Sequence, residues 1–442
     1  MADEKPGKRI PTGRLARVGR LGALAGRIAT NVVTQGAGQW MKGERPQLSS
    51  LLLTPGNITR IADQLATMRG AAMKVGQLIS MDGGDFLPPE LAEILARLRE
   101  DAEPMPKAQL IEVLDNNWGK GWQDRLLYFS FAPVAAASIG QVHKAITMDG
   151  ETLAIKVQYP GIKDSINADV DNVASLIRLS GLIPKDIALN TILEDAKIQL
   201  HQEAEYQREA EMLSRYAAYC DDSPLFVTPA VYPTLTTDTV LAMSYLNGDP
   251  IEHLQSEDQS VRNNVMSSLL RLFFQEVFDF RLLQSDPNLA NYRYQKDTGK
   301  VVLLDFGATR EIPASISDGY RTLLQAAYDN DAALMRTTAL KLGLMLDTHT
   351  PRQQDAVVEM GLTACESVRV DSPYDFGKTD LMLRLHEMGM SLTYENNFWH
   401  VPPADALFIH RKLGGLFLLA KRLGAQVDMQ EVASPWISTP DS

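Results

Sequence analysis

Three residues in the second half of the chain have the side-chain types and the spacing that phosphoryl transfer requires. Asp286 and Asn291 form a D-x-x-x-x-N pattern, and the triplet Asp305-Phe306-Gly307 begins fourteen residues after Asn291. Because Mg²⁺ prefers carboxylate and amide oxygens, Asn291 and Asp305 are candidate metal ligands, and Asp286 is the candidate catalytic carboxylate. Asp-Phe-Gly alone is a common turn after a strand, but the two motifs at this spacing predict a site for a metal-bound nucleotide.

A single lysine in an apolar strand is the second candidate for phosphate chemistry. The predicted strand 153–157 would bury the ammonium group of Lys156, which is costly unless an anion lies beside it. Nucleotide phosphates or a carboxylate would meet that need, whereas the alternative is a solvated lysine on an edge strand. Glu203, Glu205 and Glu209 follow on a later predicted helix. Helical spacing alone leaves open whether they form a solvated face or supply a partner for Lys156.

The segment before this strand departs from ordinary protein kinases. Ala135-Ala136-Ala137-Ser138 stands where a kinase carries a glycine-rich loop over the phosphates. Glycine lets backbone amides approach phosphate oxygens closely, whereas alanine methyl groups restrict that approach. We therefore expect an unusual nucleotide geometry at this loop.

The apolar spacing along the chain predicts a helical leader, then a small mixed lobe, then a larger helical lobe. Helices are predicted over 58–81, from Pro88-Pro89 to residue 99, and over 104–116. Strands are predicted at 128–131, 139–146, 153–158 and 239–244, and further helices at about 164–180, 191–217 and 260–280. A hairpin of strands 292–294 and 301–304 would bring Asn291 and Asp305 together. After residue 315 we predict helices and no strand.

The composition excludes several classes of protein. With 442 residues, of which 45% are apolar, the chain is long enough for two or three packed lobes. Its two cysteines, Cys220 and Cys365, cannot form a disulfide framework and indicate a reducing compartment. No zinc-ligand spacing occurs, and no apolar stretch approaches the roughly 20 residues needed to cross a bilayer.

The net charge of −12 is unevenly distributed along the chain. Residues 5–43 contain eight basic side chains and no acidic one. With Asp3 and Glu4 included, residues 1–43 carry +6, which leaves −18 for the remainder of the chain. Because an acidic body repels the phosphate backbone, we expect no nucleic-acid partner.

The basic arm has two interpretations. On a helix, residues 17–32 would combine an apolar face with an arginine-lined edge, which favours contact with an anionic membrane surface. The alternative is a flexible basic arm, because Gly19, Gly22 and Gly26 each weaken a helix by about 1 kcal/mol. The acidic residues Asp3 and Glu4 do not favour a mitochondrial presequence.

Together these segments resemble the UbiB family of atypical kinase-like ATPases over roughly residues 58–312. Lys74-Val75-Gly76-Gln77 matches the K-x-G-Q signature of that family, and Ala135-Ala136-Ala137-Ser138 matches its alanine-rich loop. Glu203-Ala204-Glu205 falls on the E-x-D motif, with Glu205 in place of the usual aspartate. The loop Asp286-Pro287-Asn288-Leu289-Ala290-Asn291 resembles that of the coenzyme Q branch.

The resemblance implies a protein-kinase-like bilobal α+β fold. It would have a small mixed β-rich lobe, a larger helical lobe and an N-terminal helical extension over the nucleotide cleft. The expected boundaries are a basic amphipathic arm at 1–50, the extension at 51–118, the N-lobe with inserted helices at 119–246, the C-lobe at 247–430 and a tail at 431–442.

The resemblance also implies roles for individual side chains. The expected catalytic set is Asp286, Lys156, Lys74 and Gln77. Glu209 would form an ion pair with Lys156, while Glu203 and Glu205 would form the acidic motif. Expected nucleotide-binding residues are Ala135, Ala136, Ala137, Ser138, Lys156, Met243 and Tyr245. Asn291 and Asp305 would ligate the Mg²⁺ that accompanies ATP or ADP.

The implied function is an ATPase that supports ubiquinone biosynthesis at a membrane, with Mg-nucleotide bound between the two lobes. Expected partners are the nucleotide, an anionic membrane surface, quinone precursors or quinone-biosynthesis proteins, and a second copy of the chain. The expected location is cytoplasmic and peripheral on the inner face of a membrane, or on the matrix side in a mitochondrion. The alternatives are a small-molecule or lipid phosphotransferase and a nucleotide-binding scaffold without catalysis.

Overall fold

The computed structural model describes residues 104–180, 189–221, 223–395, 398, 400 and 402–438. The basic arm, the helices predicted before residue 104, Lys74 and Gln77 lie outside these described residues. The chain divides into two compact units. The first unit comprises the described residues up to Glu211 together with Ala230–Tyr245, and the second comprises Met212–Pro229 and the described residues from Leu246 onward.

The elements are numbered here in chain order. Up to residue 245 they are α1 Lys107–Trp118, β1 Leu126–Phe129, β2 Ala135–Ala137, β3 Gly140–Thr147, β4 Thr152–Gln158, α2 Ile162–Ser180, α3 Leu189–Glu203, α4 Tyr206–Cys220, β5 Phe226–Val227 and β6 Val240–Ser244. From residue 246 they are β7 Asp249–Pro250, α5 Gln259–Phe278, β8 Leu282–Gln284, β9 Tyr292–Gln295, β10 Lys300–Leu303, β11 Thr309–Glu311, α6 Ala314–Tyr328, α7 Ala332–Lys341, α8 Pro351–Ala364, β12 Tyr374–Asp375, α9 Leu381–Met390, α10 Ala404–Leu423, β13 Gln426–Val427 and α11 Met429–Ala433.

The first unit is built on one antiparallel sheet in the order β1-β3-β4-β6, with β2 also paired to β3. Along β3 the side chains largely alternate between buried and half-buried, as expected for a strand with one face on the core. β4 lies inside the sheet, where Lys156 is opposite Val142 on β3 and Leu241 on β6. This position excludes the solvated edge strand as the surroundings of Lys156.

The long helix predicted over 191–217 is in fact two helices, so that prediction was wrong. α3 ends at Glu203 and α4 begins at Tyr206. The carbonyl of Ala204 accepts a hydrogen bond of 3.0 Å from the side-chain nitrogen of Gln158 on β4. The break therefore lies beside a strand side chain that binds the backbone between the two helices.

The second unit is mainly helical and carries short strands. The predicted hairpin is confirmed as β9 and β10, which pair antiparallel. Tyr292 lies opposite Leu303 at one end of the pair, and Gln295 lies opposite Lys300 at the other. Gly299 adopts a φ of 69° in the turn, which favours glycine. α5 is buried along most of its length, as predicted for the helix at 260–280.

Two strand predictions differ from the structure. The first strand lies at Leu126–Phe129, two residues before its predicted start and end. We predicted no strand after residue 315. That prediction was wrong, because β12 and β13 lie in this part of the chain and pair antiparallel. Strands of two residues are too short to show an alternating apolar pattern, which explains why the sequence did not reveal them.

A helix that spans a bilayer must be both long and apolar. None of the helices within the described residues is both long enough and apolar enough to span a membrane. Both cysteines are free, with Cys220 buried and Cys365 half-buried.

Candidate functional site

The first group of predicted site residues surrounds Lys156 in the first unit. Its Nζ donates to both carboxylate oxygens of Glu209, at 2.8 and 2.9 Å. Lys156 is 7% exposed and Glu209 is 1% exposed, so both charges are withdrawn from water. The Nζ also lies 5.3 Å from the ring centroid of Tyr206, at the first residue of α4. The start of α4 thus supplies the anion that a buried lysine needs.

The alanine-rich segment lies in the same unit and is a strand rather than a loop. β2 pairs with β3 in a tight turn, with Ala135 opposite Val142 and Ala137 opposite Gly140. The Ser138 hydroxyl, within this turn, donates to Glu203 at 2.8 Å. The structure therefore ties the alanine segment to the acidic motif by a direct hydrogen bond.

The two glutamates of the acidic motif have different surroundings. Glu203 is 8% exposed, at the end of α3. Glu205 is about half exposed and lies 3.6 Å from the ammonium of Lys163, which is also exposed. Glu205, which stands in place of the usual aspartate, is thus the more solvent-exposed of the two glutamates. Its exposed position easily accommodates the extra methylene group.

Met243 and Tyr245 lie at the end of β6. Met243 is opposite Ala154 on β4, and the Tyr245 amide donates to the carbonyl of Thr152 at 2.9 Å. The ring of Tyr245 lies 4.9 Å from the Nζ of Lys144. Sheet pairing therefore fixes both residues next to the strand that carries Lys156.

The second unit carries the predicted catalytic loop. The loop leaves β8 and reaches Asn291 through the 3₁₀ turn Leu289–Asn291. The Asn288 amide donates to Asp286 Oδ1, and the Asn288 side chain accepts from the Ala290 amide, both at 3.1 Å. These local bonds between side chains and backbone hold Asp286 at the start of the turn.

Asp305 is placed by the end of the hairpin. Its φ is 58°, in the left-handed region that residues other than glycine rarely adopt. Its Oδ1 accepts from the Gly307 amide at 3.1 Å, and the preceding Leu304 amide donates to the Asn291 carbonyl at 2.8 Å. The hairpin therefore brings the Asp305 segment and Asn291 together, as expected from the sequence.

The donor set around Asn291 and Asp305 fits Mg²⁺ held partly by phosphates. Asn291 is 6% exposed, and its side-chain nitrogen, which can donate to a phosphate oxygen but does not bind a metal, has no hydrogen-bond partner among the described residues. Within the same part of the chain, no cluster of three or more His, Cys, Asp or Glu side chains could hold a metal alone. Mg²⁺ is commonly bound by one or two carboxylates together with substrate phosphates, which suits one amide and one carboxylate.

Sequence reasoning missed a buried polar network beside the catalytic loop. Lys412 on α10 donates to the Gln284 carbonyl and to its side-chain oxygen, while Glu276 on α5 accepts from the Gln284 amide. The signal was available, because Lys412 and Glu276 each interrupt a largely buried helix. Lys156 was found from the same type of signal.

The structure therefore brings predicted site residues into contact at three places. Lys156 contacts Glu209, Ser138 contacts Glu203, and Asn291 is bonded to the segment of Asp305. Asp286 lies in the same unit as Asn291, whereas Lys74 and Gln77 lie outside the described residues. The chemical roles of these side chains stay predictions.

Comparisons with known proteins identify what this chain is similar to. Residues 97–339 match the family model described as the ABC1 atypical kinase-like domain. The mitochondrial atypical kinase COQ8 of Saccharomyces cerevisiae is 36% identical over 421 residues, which cover 95% of this chain and 83% of the yeast protein. The mitochondrial atypical kinase COQ8B of Rattus norvegicus is 34% identical over 434 residues, which cover 98% and 82% of the two chains.

A solved structure supports the fold. The Rv3197–erythromycin complex from Mycobacterium tuberculosis superimposes with a TM-score of 0.61 at 24% identity, covering 84% of this chain and 93% of that one. At this identity the likeness concerns the fold alone. The α+β kinase-like fold expected from the sequence is confirmed, as is the resemblance to atypical kinases.

Proposed function

Because this chain belongs to the family of ABC1 atypical kinase-like proteins, we propose that it is an Mg-dependent ATPase that supports ubiquinone biosynthesis at a membrane. The relatives named COQ8 and COQ8B, both described as mitochondrial atypical kinases, support this choice. A kinase-like domain implies nucleotide binding, and ATP with Mg²⁺ is the substrate that the Asp286, Asn291 and Asp305 motifs suit.

The observation that carries the proposal is the buried ion pair of Lys156 and Glu209. A lysine in the middle of a sheet is costly unless it serves an anion, and Glu209 holds it with both oxygens. In the proposed function, Lys156 contacts phosphate oxygens of the nucleotide while Glu209 keeps the ammonium directed at them. Ser138, held by Glu203, and the alanine segment would restrain the position of the phosphates.

The Asp286, Asn291 and Asp305 motifs supply the reacting groups in this proposal. Asp286 would orient the attacking water and accept its proton at the carboxylate. Asn291 and Asp305 would hold Mg²⁺, which when bound neutralises charge on the phosphates. Lys74 and Gln77 are proposed to belong to the same catalytic set by their match to the K-x-G-Q signature.

The proposed place of action is the surface of a membrane, on the matrix side in a mitochondrial setting. The arm at residues 1–43, with its charge of +6, is the proposed contact with anionic lipid. Quinone precursors, quinone-biosynthesis proteins and a second copy of the chain are the further partners proposed for this location.

A thermal-shift titration followed by a turnover assay tests the proposal. Mg-ADP and Mg-ATP should raise the melting temperature, because a ligand that binds only the folded state must stabilise it. ATP should then be converted to ADP and free phosphate. Absence of any nucleotide-dependent shift would contradict the proposal, while transfer of labelled phosphate to an added alcohol or lipid in place of free phosphate would indicate a phosphotransferase.

A further inference from the structure

A second buried lysine lies in the second unit, next to the segment that leads into the catalytic loop. Lys412 on α10 is 3% exposed, and Glu276 on α5 is fully buried. Charged side chains are almost never buried to this degree unless they are paired. None of the motifs used in the proposed function includes either residue, so their burial requires a separate explanation.

The ammonium group of Lys412 has three protons, and the structure provides three acceptors for them. Nζ lies 2.8 Å from the Gln284 carbonyl, 2.7 Å from the Gln284 side-chain oxygen and 2.5 Å from the Tyr292 hydroxyl. A lysine has three donors and no acceptor, so this set uses its full capacity. Lys412 is therefore fixed in one orientation, with two of its three bonds directed to a single residue.

Glu276 holds the same residue from its other side. Its Oε1 accepts from the Gln284 amide at 3.1 Å and from the Tyr216 hydroxyl at 2.8 Å. Its Oε2 lies 3.8 Å from the Nζ of Lys412. The backbone N–H and C=O of Gln284 are thus bound by groups of opposite charge, which restrains the backbone of this residue on both sides.

Gln284 connects this restraint to both functional motifs. It is the last residue of β8, two positions before Asp286. Its side-chain nitrogen donates to the backbone carbonyl of Asp305 at 3.2 Å, and β8 pairs it with Thr309 on β11. One residue therefore links the start of the catalytic loop to the backbone of the candidate metal ligand.

We propose that Lys412 is a positioning residue for ATP turnover, which acts with Glu276 through Gln284 to hold the Asp286 loop and the Asp305 backbone in one arrangement. Lys412 itself contacts no substrate atom in this account. The inference rests on the proposed function, because it assigns a supporting residue to the same reaction. A displacement of about 1 Å at a reacting group can cost about a hundredfold in rate, so a fixed support has a measurable kinetic value.

The ionisation of the pair agrees with this geometry. Burial alone would lower the pKa of Lys412, but Glu276, Tyr292 and Asp286 raise it above its usual value. Lys412 is therefore an ammonium at neutral pH and can donate all three hydrogen bonds. Burial raises the pKa of Glu276, while Lys412, Tyr216 and the Gln284 amide oppose that rise.

Two variants separate a positioning role from a structural one. Lys412→Met removes the three bonds and leaves Glu276 buried without its cation, which is strongly destabilising. Combining it with Glu276→Gln removes the uncompensated charge and keeps an acceptor for Tyr216 and Gln284. We expect the melting temperature to recover in the double variant while kcat stays at least tenfold below that of the intact protein. The KM for ATP should change less than threefold in both variants.

Lys421→Met is the matched control, because Lys421 lies on the same helix and is exposed. Its kcat and melting temperature should equal those of the intact protein. If kcat recovers together with the melting temperature in the double variant, the role of Lys412 is structural and the inference is overturned.

A third variant decides the question if the Lys412 variants do not fold. Gln284→Met keeps the backbone bonds and removes the side-chain bonds to Lys412 and Asp305. A tenfold lower kcat at unchanged KM supports the inference, and an unchanged kcat overturns it. Failure of the intact protein to hydrolyse ATP would instead contradict the proposed function, so the two failures are told apart by the wild-type measurement.

Discussion

Two lysines of this protein are buried beside a glutamate, and they are held in different ways. Lys156 contacts both oxygens of Glu209, at 2.8 and 2.9 Å. Lys412 contacts three uncharged oxygens, and its glutamate, Glu276, is 3.8 Å away. The first environment is built from an anion and the second mainly from amide and hydroxyl groups.

The difference indicates which lysine is suited to meet a ligand. A carboxylate is an anion like a phosphate, so the surroundings of Lys156 favour a cation that interacts with charged oxygens. The acceptors around Lys412 match its three donors one for one, which suits a permanent support. Burial alone therefore does not separate a ligand-binding lysine from a structural one, whereas the chemistry of the acceptors does.

The largest expected effect on activity follows from replacing Lys156. Lys156→Met leaves Glu209 buried without its cation and should lower the melting temperature. It should also lower kcat/KM for ATP by about 10²–10³, roughly 2.7–4 kcal/mol, as for removal of a preorganised donor to a developing anion. Because Lys156 is also proposed to contact the phosphates of the bound nucleotide, Mg-ATP and Mg-ADP should in addition bind more weakly in thermal-shift titrations. The exposed Lys120 in the same unit supplies the control, and Lys120→Met should bind nucleotide normally. Equal loss of affinity in Lys412→Met would contradict the different roles of the two lysines.

A buried histidine should make stability depend on pH. His143 on β3 is fully buried, its Nδ1 is 2.8 Å from the Ser130 carbonyl and its Nε2 is 2.8 Å from the Gln141 amide nitrogen. A carbonyl only accepts, so Nδ1 carries the proton and Nε2 accepts. Burial lowers the pKa of His143, although the Ser130 carbonyl opposes this.

The unfolded chain therefore binds the proton more readily than the folded one, and stability should fall as the pH drops below about 6.5. One histidine contributes at most about 1.4 kcal/mol per pH unit to the slope of the free energy of unfolding against pH. Urea unfolding between pH 7.5 and 5 measures this slope, and His143→Gln should make the curve less steep. An identical curve in that variant would show that His143 is not the group responsible, and the exposed His253→Gln is the control.

The smallest expected effect concerns the alanine strand. Ala136 on β2 is exposed and lies opposite Gln141. Ala136→Gly should let backbone amides approach phosphates more closely, against an ordering cost of about 0.5–1 kcal/mol. Because a hydrogen bond to a charged group contributes about 1.5–3 kcal/mol, we expect tighter Mg-ATP binding. Unchanged affinity for both Mg-ATP and Mg-ADP would mean that the alanines only pack.

Much of the fold could be predicted from the sequence, because its long elements show clear apolar periods. β3, β4, β6, α5 and the β9–β10 hairpin lie close to their expected positions. The break at Ala204 could not be predicted, since neither glycine nor proline marks it and the Gln158 contact comes from a distant strand. The two-residue pair of β12 and β13 is too short to leave a pattern.

The residues of the candidate site were likewise only partly predictable from the sequence. Motif spacing indicated Asp286, Asn291 and Asp305, because local loops and one hairpin position them. Gln284 left no signal, since its role depends on contacts that only the fold brings together, including those to Lys412, which lies 128 residues further along the chain. Sequence reasoning thus finds residues that lie in motifs and misses those that support the motifs through contacts between distant segments.

The most direct test of the central claim is the rate of ATP hydrolysis by Asp305→Asn. Asp305 is the proposed carboxylate ligand of Mg²⁺, held by the Gly307 amide and by Gln284. Asparagine keeps the shape of the side chain and removes its charge, so folding should be preserved. We predict that turnover at saturating Mg-ATP falls by at least about a hundredfold, roughly 2.7 kcal/mol of barrier. Turnover within threefold of the intact protein would contradict the account.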